Sequence, residues 1–283
     1  MQHYYLAKCI LRCLSLLLML SISCGHRMLS GQESGVHITS TSTVSRNSLK
    51  TNRWPFELCE GQFQIHSMLS TAKLEPYLTK LNSLPSEIER SLAISVVEQP
   101  IHLVVLESRD SLDAYVKRLL PNAPSRRALY IRHRGPGLVL TYYNPAWLTD
   151  ARHECTHALL DASGVKIPQW LDEGLAEYFE TTNENPLEHA THRVSVQSQV
   201  RFGQVPDLEQ LERMDSNSLM TAKDYRDAWS VTAFLLNSSL QSRKSLQVYL
   251  SDLQSERAAG FLSHRLQPGI HAWRDDFTRF FTR

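Results

Sequence analysis

Apolar and polar positions along the chain fall into two regimes. Between residues 54 and 144 strand and helix periods alternate, and beyond Pro145 the helical period takes over. Residues 62–68 (QFQIHSM) alternate apolar with polar, the pattern of a strand buried on one face. Residues 101–106 (IHLVVL) are a short continuous apolar run and read as a buried strand. Residues 128–132 and 138–143 read as two further strands joined through Gly135-Pro136-Gly137, a strong turn signal. In the same half Leu74, Leu78 and Leu81, then Ile88 and Leu92, recur at helical spacing over 74–97, and Pro85 suits the start of a second helix. A short amphipathic helix is predicted over 111–120, ended by Pro121. After Pro145, helices are predicted over 147–162, 169–182, 207–213, 224–238 and 243–256, with a last one near 271–281. The expected fold class is α+β: a mixed α/β half with a small sheet, then a helical half, with the helix at their junction carrying the chemistry.

The residues ahead of this pattern follow neither period. Lys8 and Arg12 precede an uncharged apolar run at 14–22 (LSLLLMLSI), and Ser21, Ser23, Cys24 and Gly25 are small or polar. The run is shorter than the roughly 20 apolar residues of a membrane span and reads as an export signal over 1–24. A buried core helix, or an uncleaved segment retained in a membrane, is the competing reading. Ser21-Ile22-Ser23-Cys24-Gly25 resembles a bacterial lipoprotein cleavage box, although Ser21 stands where that box usually has Leu. The resemblance implies lipidation of Cys24 and anchoring at a membrane surface without a span. Residues 25–52 are rich in Ser, Thr and Gly and read as a flexible tether, leaving 53–283 as the folded domain. The protein is therefore expected to be exported: secreted, periplasmic or lipid-anchored at the cell envelope.

Composition adds mainly exclusions. With 30 Lys+Arg against 29 Asp+Glu in 283 residues, bulk positive charge cannot drive binding to nucleic acid. Of the five cysteines, Cys9, Cys13 and Cys24 lie in the signal region, so the chain is no disulfide scaffold. Nothing in the sequence favours a Cys59–Cys155 bridge, and Cys155 reads as a small buried apolar residue.

The candidate chemistry begins at His153-Glu154-Cys155-Thr156-His157, an H-E-x-x-H. On a helix, residues four apart share a face, so both imidazoles can converge on one point about 2 Å from each ring nitrogen, as zinc requires. In this motif Glu154 flanks the metal-bound water and serves as general base. Cys155, about 200° round the helix from His153, should face the core. Ala158, Leu159 and Leu160 mark the helix as partly buried, and buried His and Glu need partners. A second predicted helix, Trp170-Leu171-Asp172-Glu173-Gly174-Leu175-Ala176-Glu177-Tyr178-Phe179, carries two carboxylates four apart. Gly164 and Pro168 let the chain double back between the two helices. A carboxylate from this helix would complete His-His-Glu and leave the fourth position open for water, the arrangement of a catalytic zinc site. Glu173 and Glu177 share a face, so one can ligate while the other orients a ligand histidine. The bland alternative is two surface carboxylates on an amphipathic helix.

The pair H-E-C-T-H-A-L-L and W-L-D-E-G-L-A-E-Y-F resembles the gluzincin zinc metallopeptidases, closest to a bacterial group of uncharacterised peptidase MA-like domains. The close likeness covers about residues 147–180, and a weaker one extends from about 62 to 240 through strand order and Tyr225-Arg226-Asp227-Ala228-Trp229-Ser230. The resemblance implies one zinc ion held by His153, His157 and Glu173, with Glu177 supporting a ligand histidine. It also implies a hydrolytic peptidase fold but no particular substrate, and a peptide or protein substrate is the expectation. An oxyanion donor is still needed. Tyr225 is the candidate, because it opens the helix after the site and the family pattern has a Tyr there. Packing at a helix start would explain it equally well. His189 and His192 are alternatives, although a pair in a polar loop is usually just solvated. Tyr142 and Tyr143 are expected to line the cleft, and strand 138–143 to offer an edge to an extended peptide. Three functions remain open at this point: an exported zinc metallopeptidase, a zinc hydrolase of non-peptide amide bonds, and a non-catalytic zinc-stabilised binding module at the cell surface.

Overall fold

The computed structural model describes residues 54–282 apart from 132–135, 183–186, 188–189, 216–217 and 267–271. The export signal, Cys24, the tether and His189 lie outside the described residues. All described residues belong to one unit, Ser34–Arg283. Five strands build one sheet: β1 (Phe56–Glu60), β2 (Phe63–Ser67), β3 (Ile101–Leu106), β4 (Ala128–Ile131) and β5 (Leu138–Tyr142), in the order β1-β2-β3-β5-β4. The three central strands are parallel, and β1 and β4 pair antiparallel at the two edges. Parallel neighbours need long crossovers. α1 (Thr71–Asn82) and α2 (Leu84–Leu92) connect β2 to β3, and α3 (Arg109–Leu119) with β4 connects β3 to β5. Pro85 sits in the first turn of α2, where its missing N–H costs nothing.

Alternation along the strands sorts the apolar residues onto two faces. Val104, Leu106, Leu129, Ile131, Leu138 and Leu140 pack with Leu112, Tyr115 and Val116 of α3. Ile65, Leu103, Val105, Tyr130 and Val139 face the larger core, which they share with the helical half. That half comprises α4 (Trp147–Ala162), α5 (Gln169–Phe179), α6 (Ala190–Arg201), α7 (Leu208–Glu212), α8 (Ala222–Asn237), α9 (Leu240–Gln254), α10 (Leu262–Arg265) and α11 (Ala272–Thr282). The fold is thus α+β, with a small mixed sheet followed by helices. Among the described residues no helix is long and apolar enough to cross a membrane.

Three elements escape the sequence pattern: β1, α6 and α10. The edge position expected for strand 138–143 also needs correcting. β5 lies between β3 and β4, and the outer strand on that side is β4.

Two packing details place the site. α4 lies against β4, β5 and α5 and is buried without interruption from Ala151 to Leu160, so its polar side chains must find partners inside the protein. After α4 the chain reverses through Gly164 at φ +73°, a left-handed conformation glycine adopts without strain, and α5 starts after Pro168. α5 then packs so closely on α8 that a Cβ on Gly174 would come within 2.7 Å of the Ala228 carbonyl oxygen. Glycine here is a condition of contact between the two helices.

Candidate metal centre

His153 and His157 stand one turn apart on α4, and Glu173 reaches them from α5. The His153 and His157 Nε2 atoms are 3.3 Å apart, and Glu173 Oε2 lies 3.7 Å from the first and 3.6 Å from the second. Donors held about 2.0–2.1 Å from a tetrahedral zinc lie about 3.3–3.4 Å from one another, so this triangle is slightly wide of that figure and on its scale. All three residues are buried, and the group can hold a metal ion. His153 with Glu177 and Glu180 forms a second set with ligand atoms within 4.8 Å. There His153 Nδ1 and Glu180 Oε2 stand 2.9 Å apart, the distance of a hydrogen bond and too short for neighbouring ligands of a tetrahedral ion.

Both imidazoles are backed by carboxylates. Glu180 Oε2 is 2.9 Å from His153 Nδ1, and Asp172 Oδ2 is 3.1 Å from His157 Nδ1. With each Nδ1–H donating to its carboxylate, each Nε2 lone pair is turned toward Glu173, the tautomer a metal requires. The orienting role expected of Glu177 thus falls on Asp172 and Glu180. Asp172 is the neighbour of Glu173 in sequence, and Glu180 lies two turns beyond it. Glu177 Oε2 instead meets His192 Nε2 at 3.0 Å. His192 lies on α6, buried beside Trp229, so it is not the solvated loop residue the sequence indicates.

Glu154 lies next to His153 in sequence, and its Oε2 accepts a hydrogen bond from the Tyr130 backbone N–H of β4, an edge strand, at 2.6 Å. Tyr225, in the first turn of α8, is buried. Burial, then the charge of Glu173, push its phenol well above the ordinary range, with Arg126 opposing and Glu177 and Glu154 adding to the rise. The hydroxyl therefore stays protonated, within electrostatic reach of a ligand and of the expected base. Burial pulls the His153 pKa down, but the carboxylates of Glu173 and Glu180 overrule it and hold it well above 6.5.

Other expected residues lie elsewhere. The Tyr143 ring packs with its centroid 6.4 Å from that of Trp147, at the start of α4. Tyr142 is the last residue of β5, an inner strand. Cys155 is fully buried and Cys59 is exposed, and both are free thiols. Asp172, Glu180 and Arg126 are the site neighbours that sequence reasoning missed. The Glu173, Glu177, Glu180 stripe at helical spacing was the available signal for Glu180.

Residues 148–257 match a family described as a protein of unknown function (DUF1570). The matched stretch runs from the start of α4 past the end of α9, so it contains the two histidines, Glu154, Asp172, Glu173, Glu177, Glu180 and Tyr225. β4 and α2 lie outside it. No curated protein matches the chain.

Proposed function

We propose that the chain is a zinc-dependent hydrolase, and that its substrate is a peptide bond. The observation that carries this reading is the buried triangle of His153 Nε2, His157 Nε2 and Glu173 Oε2, with a carboxylate behind each histidine. Two imidazoles and one carboxylate suit zinc and match the three-ligand pattern of catalytic sites. Zinc, when bound, polarises a carbonyl and acidifies a coordinated water.

The chain's own residues supply the rest. Glu154, next to the first ligand, is the proton acceptor for the attacking water and then the donor to the leaving amine. The Tyr130 N–H bond fixes one of its oxygens. Tyr225 offers a protonated hydroxyl to the oxyanion that develops on the substrate carbonyl. β4, the outer strand carrying that N–H, is where an extended peptide can add to the sheet.

The test is metal analysis and peptide-library cleavage by the purified chain, wild type and Glu154→Gln. The variant should keep its zinc and lose about 10²–10⁴-fold in kcat. Undiminished cleavage in the variant overturns the mechanism. Zinc with no turnover on any peptide points to a binding module, and cleavage of non-peptide amides alone moves the substrate class.

A further inference from the structure

Arg152 is among the largest fully buried side chains of the protein and immediately precedes His153. Its Nε donates to the Phe179 carbonyl at 2.9 Å and its Nη2 to the Thr181 carbonyl at 3.0 Å. Nη2 also meets Glu87 Oε2 at 2.7 Å, and Nη1 donates to the Lys80 carbonyl at 2.5 Å. The first two contacts bracket Glu180, the residue whose carboxylate meets His153 Nδ1. α5 ends at Phe179, so Glu180 stands at its C-cap, where carbonyls lose their helical partners and the chain frays. A planar guanidinium that holds the carbonyls on both sides of one residue restrains the backbone torsions at that residue. A short closed circuit results: Arg152 to its neighbour His153, across to Glu180, and back through the flanking carbonyls to Arg152.

We propose that Arg152 is a positioning residue for the metal centre: by gripping the carbonyls of Phe179 and Thr181, it fixes the Glu180 carboxylate on His153 and so sets metal affinity. This rests on the metal-binding reading above and goes beyond it. Glu87 neutralises the buried cation, and the carbonyl contacts do the positioning. A lysine can keep the charge near Glu87 but lacks the fork that spans both carbonyls.

The experiment measures zinc affinity by chelator competition, and the melting temperature of the metal-free chain, for the wild type and a set of variants. Glu180→Gln should weaken zinc binding about 10- to 100-fold, the usual effect of losing a carboxylate behind a ligand histidine. Arg152→Lys should weaken it about tenfold in the wild-type background and less than about twofold in the Glu180→Gln background, since both act through one carboxylate. Equal losses in the two backgrounds overturn the proposal. Glu180→Asp tests the clamp without touching Arg152. With the backbone held, the shorter side chain cannot follow His153, and affinity should fall as far as in Glu180→Gln. Wild-type affinity in Glu180→Asp overturns the proposal even where Arg152→Lys fails to fold. Glu87→Gln should lower the melting temperature and leave zinc affinity within about threefold, because the carbonyl contacts remain. Affinity that falls in step with melting temperature overturns the proposal. These outcomes overturn the positioning role alone. A wild-type chain that takes up no zinc overturns the metal reading, and this role with it.

Discussion

His153 is under opposed influences, and the balance has a measurable sign. Its pKa is raised in the folded chain by Glu173 and Glu180 against the pull of burial. The folded state therefore binds that proton more tightly than the unfolded one. The resulting stability is fully present below about pH 6.5, the ordinary histidine value, and is lost as pH rises through the raised folded value. Zinc requires the neutral imidazole, so its stabilising effect grows over the same range. Melting curves of chelator-treated protein should fall from about pH 6.5 upward, while the gap between zinc-loaded and stripped protein widens. A gap that stays constant or narrows with pH would contradict the ligand role. Tyr225→Phe should retain zinc and lose about 10²–10³-fold in kcat with little change in KM, the signature of a donor used in the transition state; unchanged kcat would reduce Tyr225 to packing. At this scale the sequence was legible where geometry follows spacing: His153 and His157 meet by the helical turn, and Glu173 reaches them from the second helix. Arg152 was not legible. Its partner Glu87 lies 65 residues away, and only the fold shows that a charged residue beside a ligand is fully buried.

α5 meets α4 on one side and α8 on the other, and the second contact depends on a missing side chain. A Cβ at Gly174 would stand 2.5 Å from Thr232 Oγ1 and 2.7 Å from the Ala228 carbonyl oxygen, and the backbone atom cannot swing away as a flexible side chain could. Gly174→Ala should therefore cost about 1–3 kcal/mol of stability, the usual range for overpacking. It should also weaken zinc binding, because Glu173 is the adjacent residue and moves with the helix. Denaturant melts and a zinc titration check both, and a variant as stable and as tight as wild type would mean the helices separate freely. Most elements were readable because their apolar period is clean. β3 was expected and found at 101–106, and α4 at 147–162. β1 was missed because its residues alternate only between intermediate and exposed positions, so no apolar face marks it. α6 was missed because its sequence, ATHRVSVQSQVR, is polar and its two buried valines give a weak stripe.

Across the whole molecule, the candidate centre lies where the sheet half and the helical half meet, with ligands from α4 and α5 and the Glu154 contact from β4. A metal held by this group would join α4 to α5, and only in the folded state. Free zinc at 100 times its Kd should add about 2.7 kcal/mol of stability by mass action, and a thermal shift assay should show its removal by chelator. No shift would indicate that zinc binds elsewhere or not at all. Strand order was not legible, because nothing local to residues 128–143 tells which of two adjacent strands pairs inward. That is why β5 was expected at the edge that β4 occupies. The two described cysteines are placed very differently. Cys155 sits fully buried in the ligand helix, with burial pushing its thiol far from the reactive thiolate, while Cys59 is exposed on β1, at the opposite edge of the sheet from β4. Among the described thiols a maleimide dye would react with Cys59 alone. That gives an optical label on the native surface, well removed in the sheet from the edge where substrate is proposed to bind, for following occupancy of the candidate centre without altering any residue that builds it.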